Sequence, residues 1–279
     1  MGGYGGVGVF NQFGSLNSKP DRAFVLCSNG GASIKRPLIT VLTIFVGRGF
    51  VLELWLKSLK NLNFPRGQVS ILWVYSGKKE DAFASKLRLE FEKLKGYYSK
   101  TLVINPSLKK YFGSDGHIRH RIICDAYNYS KRYLGASDYV FLLEDDVIVR
   151  RDSLVKLLCL MKNRRIGFAV GFLRYRPNDS NHSTPLAWEF SQDGHRACVN
   201  FMPVQQDGIE EIGSGTFGCS LVREPLWSQT ELVPWSEYIF GTDVNFGHQI
   251  RQKGYKSMID WSVRCKHYFR TKEGKLVYV

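Results

Sequence analysis

Two hydrophobic periods take turns along this chain. Leu38-Ile-Thr-Val-Leu-Thr-Ile-Phe-Val46 is apolar or β-branched at every position, the pattern of a strand covered on both faces. Val51, Leu54, Trp55, Ser58 and Leu59 follow at helical spacing, and Phe64-Pro65-Arg66-Gly67 breaks the run. Val69 to Tyr75 predicts a second strand, Phe83, Leu87, Phe91 and Leu94 a second helix, and Thr101 to Ile104 a third strand. Ile118, Ile122, Ala126, Tyr129 and Tyr133 mark a third helix, and Tyr139 to Leu143 a fourth strand. Strands and helices in strict alternation predict an α/β fold whose mostly parallel sheet carries helices on both faces.

Beyond the fourth strand the alternation weakens. A helix is expected from Ser153 to Asn163, with strands over Ile166–Phe172 and Gly218–Val222. Turn-rich stretches such as Arg176-Pro-Asn-Asp-Ser-Asn181 lie between them. A last helix is expected over Asp243–Lys253, closed by Gly254. The expected organisation is a glycine-rich arm over residues 1–37, a single domain over 38–270 with an elaborated C-terminal half, and a tail over 271–279.

Composition narrows the class. With 44% hydrophobic and 23% charged residues, the chain is too apolar for a disordered protein. Its length permits a core that needs no disulfide or metal staple. The most apolar run, Pro37 to Gly47, is about half what a membrane span requires, and no signal peptide is visible. Six cysteines without C-x-x-C spacing read as buried free thiols in a reducing, cytoplasmic setting. The net charge of +14 favours acidic partners: nucleotide phosphates, nucleic acid, an anionic glycan or a lipid surface to which the protein is peripheral.

The fourth strand ends in Glu144-Asp145-Asp146. Ligands of an open parallel sheet bind at the carboxyl ends of its strands, so these carboxylates point into the expected crevice. If strand geometry persists, Glu144 and Asp146 share a face and Asp145 takes the other. Three adjacent carboxylates repel one another unless a cation is near, and hard oxygen donors suit Mg2+ or Mn2+ bound together with substrate phosphates. A solvated acidic turn before the next helix gives the same letters.

With this motif in place the chain resembles the GT-A class of nucleotide-sugar glycosyltransferases, closest to family 2. The resemblance runs from Leu38 to about residue 270. It is carried by the opening strand and helix, by His120-Arg-Ile-Ile-Cys-Asp-Ala-Tyr-Asn128 and by Asp138-Tyr-Val-Phe-Leu-Leu-Glu-Asp-Asp-Val-Ile-Val149. It implies that Glu144-Asp145-Asp146 stands for the family's D-x-D-type motif, with Asp146 as the direct ligand of Mn2+ or Mg2+. Glu144 and Asp145 would touch the donor ribose, or the metal through water. Ile212-Gly-Ser-Gly-Thr-Phe-Gly-Cys-Ser-Leu-Val222 resembles the glycine-rich segment against donor and acceptor, which implies Gly213, Ser214, Gly215 and Thr216 as donor-binding. Physically, Gly213, Gly215 and Gly218 allow close backbone approach and positive φ; turns and β-bulges use glycine in the same way.

Gly241-Thr242-Asp243 resembles the x-E-D position and implies Asp243 as the base that activates the acceptor, with Thr where the family often has Glu. His267 resembles the C-terminal histidine of the metal shell, and Arg48 an arginine near the nucleotide. Trp188, Trp235 and Tyr238 are candidates for stacking on an acceptor sugar. The implied reaction transfers a sugar from a nucleoside-diphosphate sugar, a UDP-sugar first, to an acceptor hydroxyl with inversion. The acceptor (glycan, protein, lipid or nucleic acid) stays open. Other readings are action on a polyanion through the basic stretches Lys109–Arg132, Arg150–Arg165 and Arg251–Lys275, a non-catalytic sugar-nucleotide binder, and a nucleotidyltransferase.

Overall fold

All seven residues of the first strand, β1 (Ile39–Phe45), are buried, and their side chains divide between two cores. Ile39, Val41 and Phe45 enter one apolar cluster, Leu42 and Ile44 the other. A strand sandwiched in this way has no polar face to show. The computed structural model describes residues 37–77, 80–94, 96, 98–104, 116–174, 184–189, 201–233, 241–271 and 273–279. Residues 1–36 of the expected arm, Arg176–Asn181, Trp235, Tyr238, Cys198 and Lys109 lie outside the described residues.

After β1 come α1 (Leu52–Lys60), β2 (Val69–Tyr75), α2 (Ala82–Glu92), β3 (Ser99–Ile104), α3 (Gly116–Ser130) and β4 (Tyr139–Leu143). The second half contains β5 (Val147–Ile148), α4 (Ser153–Leu160), β6 (Ile166–Phe172), β7 (Ala187–Trp188), β8 (Ile209–Ile212), β9 (Ser214–Gly215) and β10 (Cys219–Arg223). It closes with α5 (Glu224–Gln229), α6 (Thr242–Gln252), β11 (Lys256–Arg264), β12 (Lys266–Arg270) and β13 (Leu276–Tyr278).

Eight strands form the main sheet in the order β3-β2-β1-β4-β10-β6-β11-β8. The pairs β3–β2, β2–β1, β1–β4 and β6–β11 are parallel; β10, between β4 and β6, is antiparallel to both, and so is β8 to β11. Leu52, Trp55, Leu59, Leu87, Phe91, Leu154 and Leu157 bring α1, α2 and α4 against one face. Cys124, Tyr127, Trp227, Phe246 and Ile250 bring α3, α5 and α6 against the other. The result is the expected α/β class, a mostly parallel central sheet flanked by helices.

Edges differ from the sequence expectation. Helix α3 stops at Ser130, and Tyr133 lies in a following 3-10 turn, exposed beside Tyr129. Strand β13 pairs antiparallel with β12, so the stretch set off as a tail contributes a sheet strand. Cys124, Cys219 and Cys265 are buried thiols outside any disulfide, as expected, whereas Cys159 is exposed. Among the described residues no helix is long and apolar enough to cross a membrane.

Candidate active site

Strand β4 ends at Leu143, and the acidic triplet turns away from it. Glu144 still donates its N–H to the Gly218 carbonyl at 3.1 Å, while its own carbonyl accepts from Val147 N–H at 3.2 Å, closing a turn. The Trp55 indole N–H donates to the same carbonyl at 2.9 Å. The chain then enters β5, which pairs antiparallel with β12 in a register that sets His267 opposite Val147. The Tyr268 N–H donates to the Asp146 carbonyl at 2.9 Å. Two residues of strand pairing thus seat a histidine from the end of the chain beside an aspartate 121 positions earlier.

Glu144, Asp146 and His267 each offer a ligand atom, and these atoms lie within 4.8 Å of one another. Asp146 is fully buried and His267 nearly so. His267 Nδ1 lies 3.0 Å from the Arg174 carbonyl. A carbonyl only accepts, so Nδ1 carries a hydrogen and Nε2 is left to face Asp146. Nε2 lies 3.3 Å from Asp146 Oδ2, close enough for both atoms to serve one ion. The chemistry of this donor set, two carboxylates and one imidazole, fits a divalent cation such as Mn2+.

Asp145 is differently engaged. Its Oδ2 accepts from Val46 N–H at 3.0 Å and its Oδ1 from Arg48 at 2.8 Å, which ties the end of β1 to the end of β4. Arg48 Nη1 also lies 2.8 Å from Asp146 Oδ2. Strand alternation sets Glu144 with Asp146, whereas the family resemblance pairs Glu144 with Asp145; the structure groups Glu144 with Asp146 and His267.

Asp243 opens α6. Its Oδ1 accepts from Val244 N–H at 3.0 Å and its carbonyl from Ser214 Oγ at 2.6 Å. Burial, and then the charge of Glu144, push its carboxyl from the ordinary 3.8 up to about 7. Gly241 has φ of 133°, and a Cβ there would stand 2.9 Å from Asp243 Oδ1, so glycine is required at the entry to this helix. Thr242, at the position where a Glu is common in the resembled family, shares a hydrogen bond of 2.8 Å with the Cys124 thiol. Buried Tyr127 links the two places: its hydroxyl is pushed well above its ordinary range by burial, then by Glu144, Asp145 and Asp243.

In the glycine-rich segment, none of Gly213, Gly215 and Gly218 has positive φ, contrary to one use the sequence suggests for them. Close packing explains the latter two. A Cβ on Gly215 would lie 2.8 Å from Val170 Cγ1, and one on Gly218 2.5 Å from Leu173 Cδ2. Phe217 anchors the segment among Tyr127, Trp227 and Phe246. Thr216 Oγ1 accepts from Gly218 N–H at 3.1 Å, and Gly213 N–H donates to the Trp188 carbonyl at 2.7 Å.

Sequence reasoning missed Gly247. A Cβ on it would sit 2.3 Å from Ser214 Oγ and 2.7 Å from the Gly213 carbonyl, so its bareness lets α6 lie against β9. A lone glycine inside a predicted helix is the signal that was there to read.

Trp188 is buried, packed with Val244 next to Asp243, and its ring lies 5.7 Å from that of Phe201, which is 42% exposed. A cavity of about 340 Å³ is lined by Glu53, Leu56, Lys57, Lys60 and Asn61 of α1 and its C-terminal end and by Glu90 of α2, and by none of the site residues.

No protein-family model and no curated protein matches the sequence. Among solved structures, the fold is similar to that of the mannosyltransferase PcManGT from Pyrobaculum calidifontis in complex with GDP-Man and Mn2+ (TM-score 0.53, 16% identity, covering 85% of this chain and 59% of that one). It is also similar to GalNAc-T7 with UDP, GalNAc and Mn2+ (TM-score 0.59, 12% identity, 86% and 45%). The chain spans about half the length of these structures. At such identities the likeness is one of architecture: the chain has the GT-A glycosyltransferase fold.

Proposed function

We propose that this protein is a divalent-cation-dependent glycosyltransferase that moves a sugar from a nucleoside-diphosphate sugar to an acceptor hydroxyl. The observation that carries the proposal is the meeting of Glu144, Asp146 and His267 at the carboxyl end of β4, on a GT-A fold. Solved structures of similar fold hold GDP-Man or UDP together with Mn2+. Two carboxylates and an imidazole favour Mn2+ over Mg2+, which prefers an all-oxygen shell.

In this scheme Asp146, His267 and Glu144 would hold the ion, which when bound would supply Lewis-acid stabilisation of the charge that develops on the departing diphosphate. Asp145 keeps the end of β1 and Arg48 at the rim where the nucleotide enters. Gly213, Ser214, Gly215 and Thr216 line the donor side. Asp243 receives the proton of the acceptor hydroxyl; with its carboxyl near 7, it is ionised enough at neutral pH to accept a proton and basic enough to hold one. Ser214 fixes the Asp243 backbone, and the Cys124–Thr242 hydrogen bond fixes the residue before it. Direct displacement by the acceptor oxygen inverts the anomeric carbon. Trp188 backs the acceptor side next to α6, and the free buried thiols suit a reducing, cytoplasmic setting.

The test is nucleoside-diphosphate release across a panel of UDP- and GDP-sugars with Mn2+, Mg2+ or EDTA. Release that needs the cation, survives Lys57→Ala and is lost in Asp146→Ala supports the proposal. Tight nucleotide-sugar binding without release across the panel points instead to a non-catalytic binder.

A further inference from the structure

One oxygen at the rim is claimed twice. Asp146 Oδ2 lies 3.3 Å from His267 Nε2 and 2.8 Å from Arg48 Nη1. The same Nη1 lies 2.8 Å from Asp145 Oδ1. The two aspartates are 0% and 2% exposed, so the guanidinium neutralises carboxylates that have little water to do so, while Arg48 itself remains 25% exposed. A divalent ion held by Asp146 and His267 would share Asp146 Oδ2 with the charge that Arg48 places 2.8 Å from it, and two positive charges there repel each other.

We infer that Arg48 is a built-in competitor of the divalent cation, which yields Asp146 Oδ2 when the ion binds and pivots on its remaining tie to Asp145. The inference rests on reading Glu144, Asp146 and His267 as a cation site. Local geometry suits the movement. Arg48 follows Gly47, which has φ of 94° and open space around it, in the turn after β1. Asp145, by contrast, stays pinned by Val46 N–H through its other oxygen. A guanidinium that leaves Asp146 but keeps Asp145 remains at the mouth of the site, placed for bidentate contact with a diphosphate. Such an arrangement offsets the rim's negative charge without the cation and sets a threshold for its binding.

The test is Mn2+ binding without nucleotide, read from the electron-paramagnetic-resonance signal of free Mn2+ and from thermal unfolding with Mn2+ or EDTA. An ion pair with one partner partly exposed shifts an equilibrium by about tenfold. Arg48→Gln is expected to unfold at lower temperature than wild type in EDTA, to bind Mn2+ about tenfold more tightly, and to gain more from it in Tm. Arg48→Lys, which keeps the charge but not the flat two-pronged head, is expected to fall between; if Arg48→Gln fails to fold in EDTA, the lysine variant decides by the same criterion. Unchanged or weaker Mn2+ binding in variants of a wild type that does bind Mn2+ overturns the competition and leaves the cation site standing. Absence of Mn2+ binding in wild type and variants alike overturns both.

Discussion

Asp145 and Asp146 at the end of β4 are buried and Asp243 at the start of α6 is half-buried, and their surroundings treat them oppositely. Asp145 and Asp146 have a guanidinium at 2.8 Å, and Asp146 an imidazole at 3.3 Å. Asp243 has a backbone N–H and, nearby, another carboxylate, and its proton is held up to about pH 7. One neighbourhood answers its carboxylates with a guanidinium and a ring nitrogen, as the proposed cation site would need. The other makes ionisation costly, as the proposed proton acceptor would need. On that proposal the same side chain serves two purposes because of its neighbours.

Asp243→Asn puts the largest strain on this contrast. Loss of the base is expected to lower turnover about a thousandfold, while the rise in Tm with Mn2+ persists. A pH effect accompanies it. In the unfolded chain this carboxyl releases its proton near 3.8, in the folded one near 7. Between those values the folded state binds more protons, so the wild type loses stability as pH rises through that window. Asn carries no such cost: in EDTA, Asp243→Asn is expected to be more stable than wild type at pH 8, with the difference vanishing toward pH 4. Equal pH dependence in both proteins would show Asp243 to be an ordinary carboxylate.

Asp146→Asn tests the other side. With Mn2+ at a hundred times its Kd, linkage stabilises the wild type by about 2.7 kcal/mol, or roughly 5–10 °C in Tm for a domain of this size. The variant is expected to lose that gain. Gly247→Ala separates the regions by geometry: forcing a methyl against Ser214 and the Gly213 carbonyl is expected to cost about 1–3 kcal/mol and to lower turnover, with the Mn2+ gain retained. The smallest effect is expected of Gly218→Ala, about 1 kcal/mol, because the Leu173 side chain it would meet can rotate away. A loss of Mn2+ stabilisation in Gly247→Ala but not in Gly218→Ala would blur the division.

What the sequence discloses follows from where each strand is buried. β2, β4 and β6 occupy the residues their apolar runs predict, because both faces of each are largely covered and Ser70 alone of their polar residues interrupts the run. β11 escapes, since Lys256, Ser257, Asp260, Ser262 and Arg264 break its apolar run; it lies beside edge strand β8. The two-residue β5 that seats His267 is too short for any periodicity to betray. The residue types of the site are readable from motif order, but partnership is not. That Asp145 would fasten β1, and that Arg48 would span two aspartates, depends on β1 and β4 being neighbours in space, which no local pattern states. The glycines show a related limit: the letters announce freedom, and the packing of Val170 and Leu173 shows how it is spent.

Trp55 reaches from the middle of α1 to the Glu144 carbonyl, with its ring edge-on to Phe45 and Trp73. An indole attached to the backbone of the acidic turn is an optical probe that the protein already carries. Any rearrangement of that peptide on ligand capture changes the field along the indole N–H, and tryptophan emission responds to such fields without a label or a coupled assay.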